Sequence, residues 1–336
     1  MRTNLSLSRR QFFATSTAAA MVGLVGGIPI PSALAKAPLS NTQAPYFYRF
    51  KIGSIEATVV SDGPLSLGQP SATIKGTTKE EVSKLLTDNF LDTEKLILEQ
   101  NALIINTGDK IVLFDTGMGT YQLLGPTTGR LLNNIVAAGI RPQDVDAICL
   151  THAHFDHAGG IVGDDGKSLF PNATIYISEA DYNFYTDESK LLVTDPPSLK
   201  RHAERALKNL KPLRDRVVFV KDGQEFLPGI QAIATPGHTV GHTVYMITSG
   251  KQKVAVTGDL IHHTVLVMER IQTEFFKPDW DSKQAAQTRL RMLEMFAANR
   301  IPLFGYHFPW PGLGHIVKTA EGFHYIPTAM DLSKVG

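Results

Sequence analysis

The chain has 336 residues, 43% apolar and 19% charged, with 28 Gly and 19 Pro, so it can bury one large core or two small ones and is neither disordered nor collagenous. Its 33 Lys and Arg balance 32 Asp and Glu at a net charge of +1, which excludes a chain whose main task is to grip a phosphate backbone. The lone cysteine, Cys149, excludes an intramolecular disulfide, a four-cysteine zinc site and a cysteine-ligated iron–sulfur cluster, so any metal must be held by His and carboxylate.

Residues 1–35 have the layout of an export signal. Arg2, Arg9 and Arg10 precede an apolar, small-residue run over 12–30, and Ala33-Leu34-Ala35 forms an A-x-A cleavage site. Ser8-Arg9-Arg10-Gln11-Phe12-Phe13 resembles the twin-arginine motif, with Ala14 where a Lys is common, and the first acid is Glu56. Gly23, Gly26, Gly27 and Pro29 argue against a stable membrane anchor, because a spanning helix needs about 20 mostly apolar residues. The expectation is passage through the twin-arginine machinery, cleavage near Ala35 and a periplasmic or extracellular mature protein. Residues 36–45 read as a flexible leader into a single domain over 46–336.

Within that domain, residues 48–52 and 55–61 read as strands around Gly53-Ser54, and 102–106 and 110–114 as a second pair around Thr107-Gly108-Asp109. A helix is predicted over 129–138, with Leu131, Leu132, Ile135 and Val136 on one side and Gly139 stopping it. The apolar run 146–151 reads as a buried strand whose carboxyl end delivers a histidine-dense loop. Further strands are predicted at 174–178, 216–220, 230–235, 243–248 and 253–257. Helices are predicted at 179–185 and 198–210, and a last one, capped by Asp281, runs to 299 with Leu290, Leu293 and Phe296 in step. The runs 110–115 and 253–259 echo each other as apolar strands ending in Asp115 and Asp259, and two βα layers packed face to face would bring both acids to one edge.

The densest chemistry lies in Thr151-His152-Ala153-His154-Phe155-Asp156-His157-Ala158-Gly159-Gly160. In extended backbone His152 and His154 point to one side at i and i+2, while the loop turns Asp156 and His157 toward a second point. Two points of convergence suggest two metal ions. The motif His152-x-His154-x-Asp156-His157 resembles the central motif of the metallo-β-lactamase superfamily. Gly237-His238, Gly258-Asp259 and His307 follow in the order that superfamily uses. The resemblance implies an α/β fold, the four-layer αβ/βα sandwich of two mixed sheets flanked by helices. It also implies that His152, His154 and His238 hold one metal, that Asp156, His157 and His307 hold the other, and that Asp259 bridges them.

Within the superfamily, the sequence is similar to the methyl parathion hydrolase, lactonase and arylesterase group. The matching stretches are Tyr48-Arg49, Ser61-Asp62-Gly63, Leu124-Gly125-Pro126-Thr127-x-Gly129-Arg130-Leu131, His238-Thr239-x-Gly241-His242-Thr243 and the run from His307 to Ile316. The implied activity is hydrolysis of lactones or aryl esters, with phosphotriesters secondary, by a hydroxide held between two divalent ions. Zinc is the first expectation, and Mn, Fe and Co suit the same ligands. The expected partner is a small-molecule ester or lactone, without nucleic acid, and a homodimer is the assembly common among the relatives.

His262, three residues past Asp259, stands where the parathion-hydrolysing members tend to carry an apolar residue, and it suits hydrogen bonding to an ester oxygen or proton delivery to a leaving group. Asp115 reads equally as an orienting group behind the site or as a turn acid. His242 and His263 are weaker candidates, and His202, His315 and His324 read as structural or exposed. Leu124 replaces an aromatic expected of an organophosphate pocket. Tyr182, Phe184 and Tyr185 read as core or as a lid, and Cys149 as a buried inert thiol.

Two other functions compete. A thioester hydrolase resembling glyoxalase II would want a basic cluster for its acidic substrate, and none is evident. A non-catalytic exported metal-binding protein would want a closed four-ligand site rather than an open bridged pair.

Overall fold

The computed structural model describes residues 43–44, 46–194, 197–269 and 279–330; the predicted signal and nearly all of the leader lie outside them. No helix among the described residues is long and apolar enough to cross a membrane.

The first sheet runs β1 (Phe47–Ile52), β2 (Ile55–Ser61), β5 (Asn101–Asn106), β6 (Ile111–Phe114), β7 (Ala147–Cys149), β8 (Thr174–Ser178), β9 (Val217–Val220) in that spatial order. The hairpin-linked half is antiparallel, and β6 to β9 are parallel. The second sheet runs β10 (Glu225–Leu227), β11 (Ile230–Ala234), β12 (Thr243–Ser249), β13 (Gln252–Val256), β14 (Leu303–Phe304), β15 (Leu313–Lys318), β16 (Phe323–Pro327), with only β13 and β14 parallel. A separate short ladder joins β3 (Leu65–Ser66) to β4 (Ile97–Leu98).

Strand alternation builds the layers. Val59, Leu103, Phe114 and Cys149 of the first sheet meet Tyr245, Ile247, Val254 and Val256 of the second in one buried core. The opposite faces supply Val60, Leu113, Ile148 and Ile175 to a core shared with Leu131, Ile135, Leu199 and Ala206 of the outer helices. Val244, Met246 and Ala255 pack on Met292, Leu293 and Phe296 of the helix Ser282–Ala298. The result is two mixed sheets flanked by helices, as expected.

Asp281 caps that last helix as predicted, accepting from the N–H groups of Lys283 and Gln284. Its buried face differs from the expected one: Leu290 is exposed and Arg289 is buried. Arg289 is drawn inward because Nε donates to the Leu260 carbonyl and Nη2 reaches Asp279. In the helix Leu131–Ala137, Val136 likewise faces solvent while Asn134 turns inward to donate to the Ser61 carbonyl. The helix Lys79–Asp88 and strands β10 and β14 to β16 were not anticipated. The capping box of Thr78 and Glu81 was nevertheless present in the sequence to signal that helix.

Asp62 pins the loop after β6 to the sheet edge by accepting from the N–H groups of Met118 (2.9 Å), Gly129 (3.2 Å) and Leu131 (2.8 Å). Burial raises its carboxyl to about 7 against those three donors. Gly117, at φ +69°, leaves room for that carboxylate: a Cβ there would lie 2.5 Å from the Asp62 carboxyl carbon.

Candidate metal centre

The carboxyl ends of β6, β7 and β13 converge on one edge, where open α/β sheets place their ligands. After β6 the chain turns at Asp115, whose φ of +60° is rare for a residue with a side chain and costs about 1–3 kcal/mol. The turn lets the carboxylate accept from the Thr151 N–H and hydroxyl, both at 2.8 Å. After β7, His152 and His154 continue in the loop, and the one-turn helix Phe155–Ala158 carries Asp156 and His157 away from them. After β13, Gly258 sits at φ +48° against Thr151, where a Cβ would meet Thr151 at 2.7 Å, and the chain then presents Asp259.

Ligand atoms of His152, His154, His238 and Asp259 all lie within 4.8 Å of one another, and so do those of Asp156, His157, His307 and Asp259. Asp259 divides its oxygens between the two groups. Oδ2 is 3.3 Å from His238 Nε2 and 3.7 Å from His152 Nε2, whereas Oδ1 is 3.0 Å from His157 Nε2 and 3.3 Å from His307 Nε2. His154 faces the first group with Nδ1, 3.1 Å from His238 Nε2. Asp156 Oδ2 closes the second, 3.6 Å from His307 Nε2 and 3.7 Å from His157 Nε2.

Three inner atoms of this cluster are orphaned. His152 Nε2, His157 Nε2 and Asp259 Oδ1 are buried with no hydrogen-bond partner among the described residues, a costly state for polar atoms unless a cation satisfies them. Neutral imidazoles and carboxylates at two focal points are a donor set that suits divalent first-row metals.

The outer ring nitrogens are, in contrast, each held. His152 Nδ1 is 3.1 Å from the Thr151 hydroxyl, His154 Nε2 is 2.9 Å from the Tyr185 hydroxyl, and His157 Nδ1 is 2.8 Å from Asp115. His238 Nδ1 is 2.9 Å from Asp279 and His307 Nδ1 is 2.7 Å from the Glu99 carbonyl. Such bonds fix ring tautomer and orientation. His242 works one step further back: its Nε2 accepts from the Asp259 N–H at 3.0 Å and its Nδ1 meets the Thr235 hydroxyl at 2.8 Å.

Electrostatics follow from burial and crowding. Burial opposes ionisation of Asp259, yet the charges of His157, His307, His262 and His152 hold its carboxyl well below the usual range. Burial likewise opposes a charged His238, and the hydrogen bonds it donates to Asp259 and Asp279 outweigh it to hold this imidazole at about 9. Burial keeps His202 and His242 at about 3 and His262 at about 4.

All seven predicted ligands therefore meet. His262 joins them, with Nε2 3.0 Å from Asp259 Oδ2 and its ring stacked 5.5 Å from that of His307. Asp115 sits at a turn and also stands behind the cluster, where its Oδ2 is 2.8 Å from His157 Nδ1. His263 is turned away, its Nδ1 accepting from Val265 and Leu266. His315 and His324 are exposed as read. His202 is buried and stacks 3.7 Å from the His154 ring. Tyr185 is a buried partner of His154 rather than part of a lid. Cys149 is buried, and burial pushes its thiol well up. Sequence reasoning missed Asp279 and Arg289, for which no local motif exists.

A cavity of about 180 Å³ opens onto the cluster, lined by His154, Asp156, His238, Asp259, His262 and His307 together with Leu65, Leu67, Leu98, Leu123 and Leu124.

The family model of the metallo-beta-lactamase superfamily matches residues 97–300. An N-acyl homoserine lactonase of Bacillus sp. is 27% identical over 242 residues, covering 67% of this chain and 84% of that protein. Among solved structures, AidC, a dizinc quorum-quenching lactonase in complex with a homoserine product, is 30% identical with a TM-score of 0.78, covering 85% of this chain and 99% of that one. AbOPH, a hydrolase in the beta lactamase superfamily, is 28% identical with a TM-score of 0.79, covering 86% and 100%.

Proposed function

The chain belongs to the metallo-β-lactamase superfamily, and we propose that within it the protein is a dinuclear metallo-hydrolase that opens lactone rings. The observation that carries this reading is the division of Asp259 between two sets of buried ligand atoms, of which His152 Nε2, His157 Nε2 and Asp259 Oδ1 have no hydrogen-bond partner among the described residues, beside a cavity lined with leucines. His152, His154 and His238 would hold one ion, Asp156, His157 and His307 the other, and Asp259 both. Zinc is favoured by the dizinc neighbour. A pair of divalent ions there supplies Lewis acidity and lowers the pKa of water toward neutrality.

The protein's own groups do the rest. Asp115, Asp279, Tyr185 and the Glu99 carbonyl hold the imidazoles in the orientation that aims their free nitrogens inward. The leucine wall takes an apolar chain and excludes water from the reacting carbonyl. His262, which lines the cavity, supplies a hydrogen bond or proton to the ester oxygen as the ring opens. Aryl ester and phosphotriester hydrolysis are proposed as secondary activities, because the same nucleophile serves both and pocket shape selects among them. The lactonase relatives support the order of preference. Export through the twin-arginine route is proposed from Arg9-Arg10 and Ala33-Leu34-Ala35.

The test is turnover by the purified mature protein, with metal content assayed in parallel, on dihydrocoumarin, an acyl-homoserine lactone, p-nitrophenyl acetate, methyl paraoxon and a glutathione thioester. Lactones should lead, and Asp259→Ala should abolish turnover. Two bound metals with inert lactones would overturn the substrate class; absence of metal would overturn the centre itself.

A further inference from the structure

Residues 119–128 form a loop whose two ends are held by one carboxylate. Asp62 Oδ2 accepts from the N–H groups of Met118 (2.9 Å) and Gly129 (3.2 Å), on either side of the loop, while Oδ1 accepts from Leu131 at 2.8 Å. A compact surface loop with its ends drawn together in this way is an Ω-loop, a form often put to functional use. Asp62 is itself fixed: it directly follows β2, it is buried, and its N–H donates to the Gln100 carbonyl at 2.8 Å. Burying a carboxylate is costly, and the three converging donors offset that cost.

The loop delivers Leu123 and Leu124 to the cavity that the metal ligands line. Leu124 packs against the core that holds Leu65 and Leu98, and its carbonyl accepts from the Ser66 N–H at 3.0 Å. Tyr121 lies under the Arg205 guanidinium, 3.8 Å from its ring centre, and edge-on to Phe155 at 5.4 Å. The loop therefore touches the β3–β4 ladder through Leu124 and the helix Pro197–Asn209 through Tyr121, and both of those elements also line the cavity. Asp62 holds the base from which these contacts are made.

We propose that Asp62 is a positioning residue for substrate selection: by closing this loop it sets where Leu123 and Leu124 stand, and so how well the cavity holds an apolar group. This rests on the lactone reading of the same cavity. Asp62→Asn isolates the effect, because it keeps the shape of the side chain and turns one acceptor into a donor. With its oxygen toward Leu131, the amide NH2 faces the N–H groups of Met118 and Gly129; turned over, it faces that of Leu131. Either way a donor meets a donor, and the closure of the loop is weakened without a cavity being cut into the core.

The experiment measures, by calorimetry, the binding of octanoate and of acetate to zinc-loaded wild type, to Asp62→Asn, to the double variant Leu123→Ala/Leu124→Ala, and to the triple variant that combines them. Acetate reports on the ligand cluster, and the ratio of octanoate to acetate affinity reports on the leucines. Asp62→Asn should lower that ratio by about tenfold, the low end of what the fit of one methylene in an apolar pocket is worth. The leucine pair should lower it at least as far. Adding Asp62→Asn to that pair should lower it no further, since a residue that acts through others has no effect once they are gone. A ratio unchanged in Asp62→Asn, or losses that add in the triple variant, would overturn the proposal. Should Asp62→Asn not fold, amide exchange of the wild type decides: octanoate but not acetate should slow exchange in peptides covering 117–131, and equal exchange with the two probes overturns the proposal. Turnover keeps the two readings apart. The preference for δ-decalactone over δ-valerolactone should fall in Asp62→Asn together with the carboxylate ratio. If loaded wild type opens neither lactone, the lactone reading falls and the carboxylate ratio decides for Asp62 alone.

Discussion

Asp115 Oδ2 stands 2.8 Å from Nδ1 of His157, and on the other side of the same ring Nε2 is 3.0 Å from Asp259. The acids that end the two echoing strands β6 and β13 thus flank one imidazole. Asp115 holds a left-handed backbone to do this, strain that the buried bonds from Thr151 and His157 offset.

Asp115→Asn should retain the fold, because an amide can still meet Thr151. It should weaken the ion shared by Asp156, His157 and His307 by about 10–100-fold, the range for loss of an orienting partner. Metal titration with an optical indicator would show one tight and one weakened site. Two sites of unaltered affinity would return Asp115 to the role of a turn acid.

Asp279 does for His238 what Asp115 does for His157, at 2.9 Å, and Arg289 reaches it from behind at 3.4 Å. Asp279→Asn should weaken the ion held by His152, His154 and His238 and leave the other unchanged, so the two variants should affect opposite sites. Arg289→Met should destabilise by about 3–5 kcal/mol, because it leaves a buried carboxylate with one partner fewer. Chemical denaturation of the loaded protein measures this, and a loss below 1 kcal/mol would show the pair to be dispensable.

His262 is close enough to Asp259 and His238 to be mistaken for a ligand, with Asp279 completing a third grouping. His262→Phe separates the roles. As a proton or hydrogen-bond donor it should cost about 10²-fold or more in kcat with two metals still bound. Loss of one metal equivalent in that variant would make it a ligand instead.

Proton competition sets the pH dependence of metal uptake. Free of metal, His238 is held at about 9, so at neutral pH it carries a proton that must leave before Nε2 can bind an ion. Affinity should therefore fall as pH falls, by roughly tenfold per unit for each proton released, and level off above pH 9. Calorimetric titrations of zinc at pH 7 in buffers of different ionisation enthalpy should report at least about one proton released. A buffer-independent heat would show that His238 is already deprotonated in the metal-free protein.

Replacing Arg9-Arg10 with a Lys pair should block export of the folded, metal-loaded protein, which fractionation of producing cells would reveal. Unchanged secretion would remove the twin-arginine reading.

Much of the fold was legible because its signals are local. β2 and β8 span the predicted residues, 55–61 and 174–178, and β6, β7, β11 and β13, which lead into the cluster, begin and end within a few positions of prediction. The unanticipated helix Lys79–Asp88 and strands β15 and β16 are of ordinary length, and the other elements that escaped were short or inverted. β14 has two residues, too few for a period, and Arg289 and Leu290 exchange places on their helix because a buried acid attracts a cation that periodicity assigns to solvent.

The sequence by itself determined the fold class, through a resemblance carried by His152-x-His154-x-Asp156-His157 with the later Gly237-His238, Gly258-Asp259 and His307, and that resemblance implied which seven residues would converge. Only the tertiary structure decided which atom of each ligand faces inward, that Asp259 divides its oxygens, and that Asp115, Tyr185, Asp279 and the Glu99 carbonyl stand behind the rings. Those partners are brought in by packing two sheets and their helices across separations of 31 to 208 residues. Linear spacing carries no record of such contacts, since a hydrogen bond's direction is set by where whole layers come to rest.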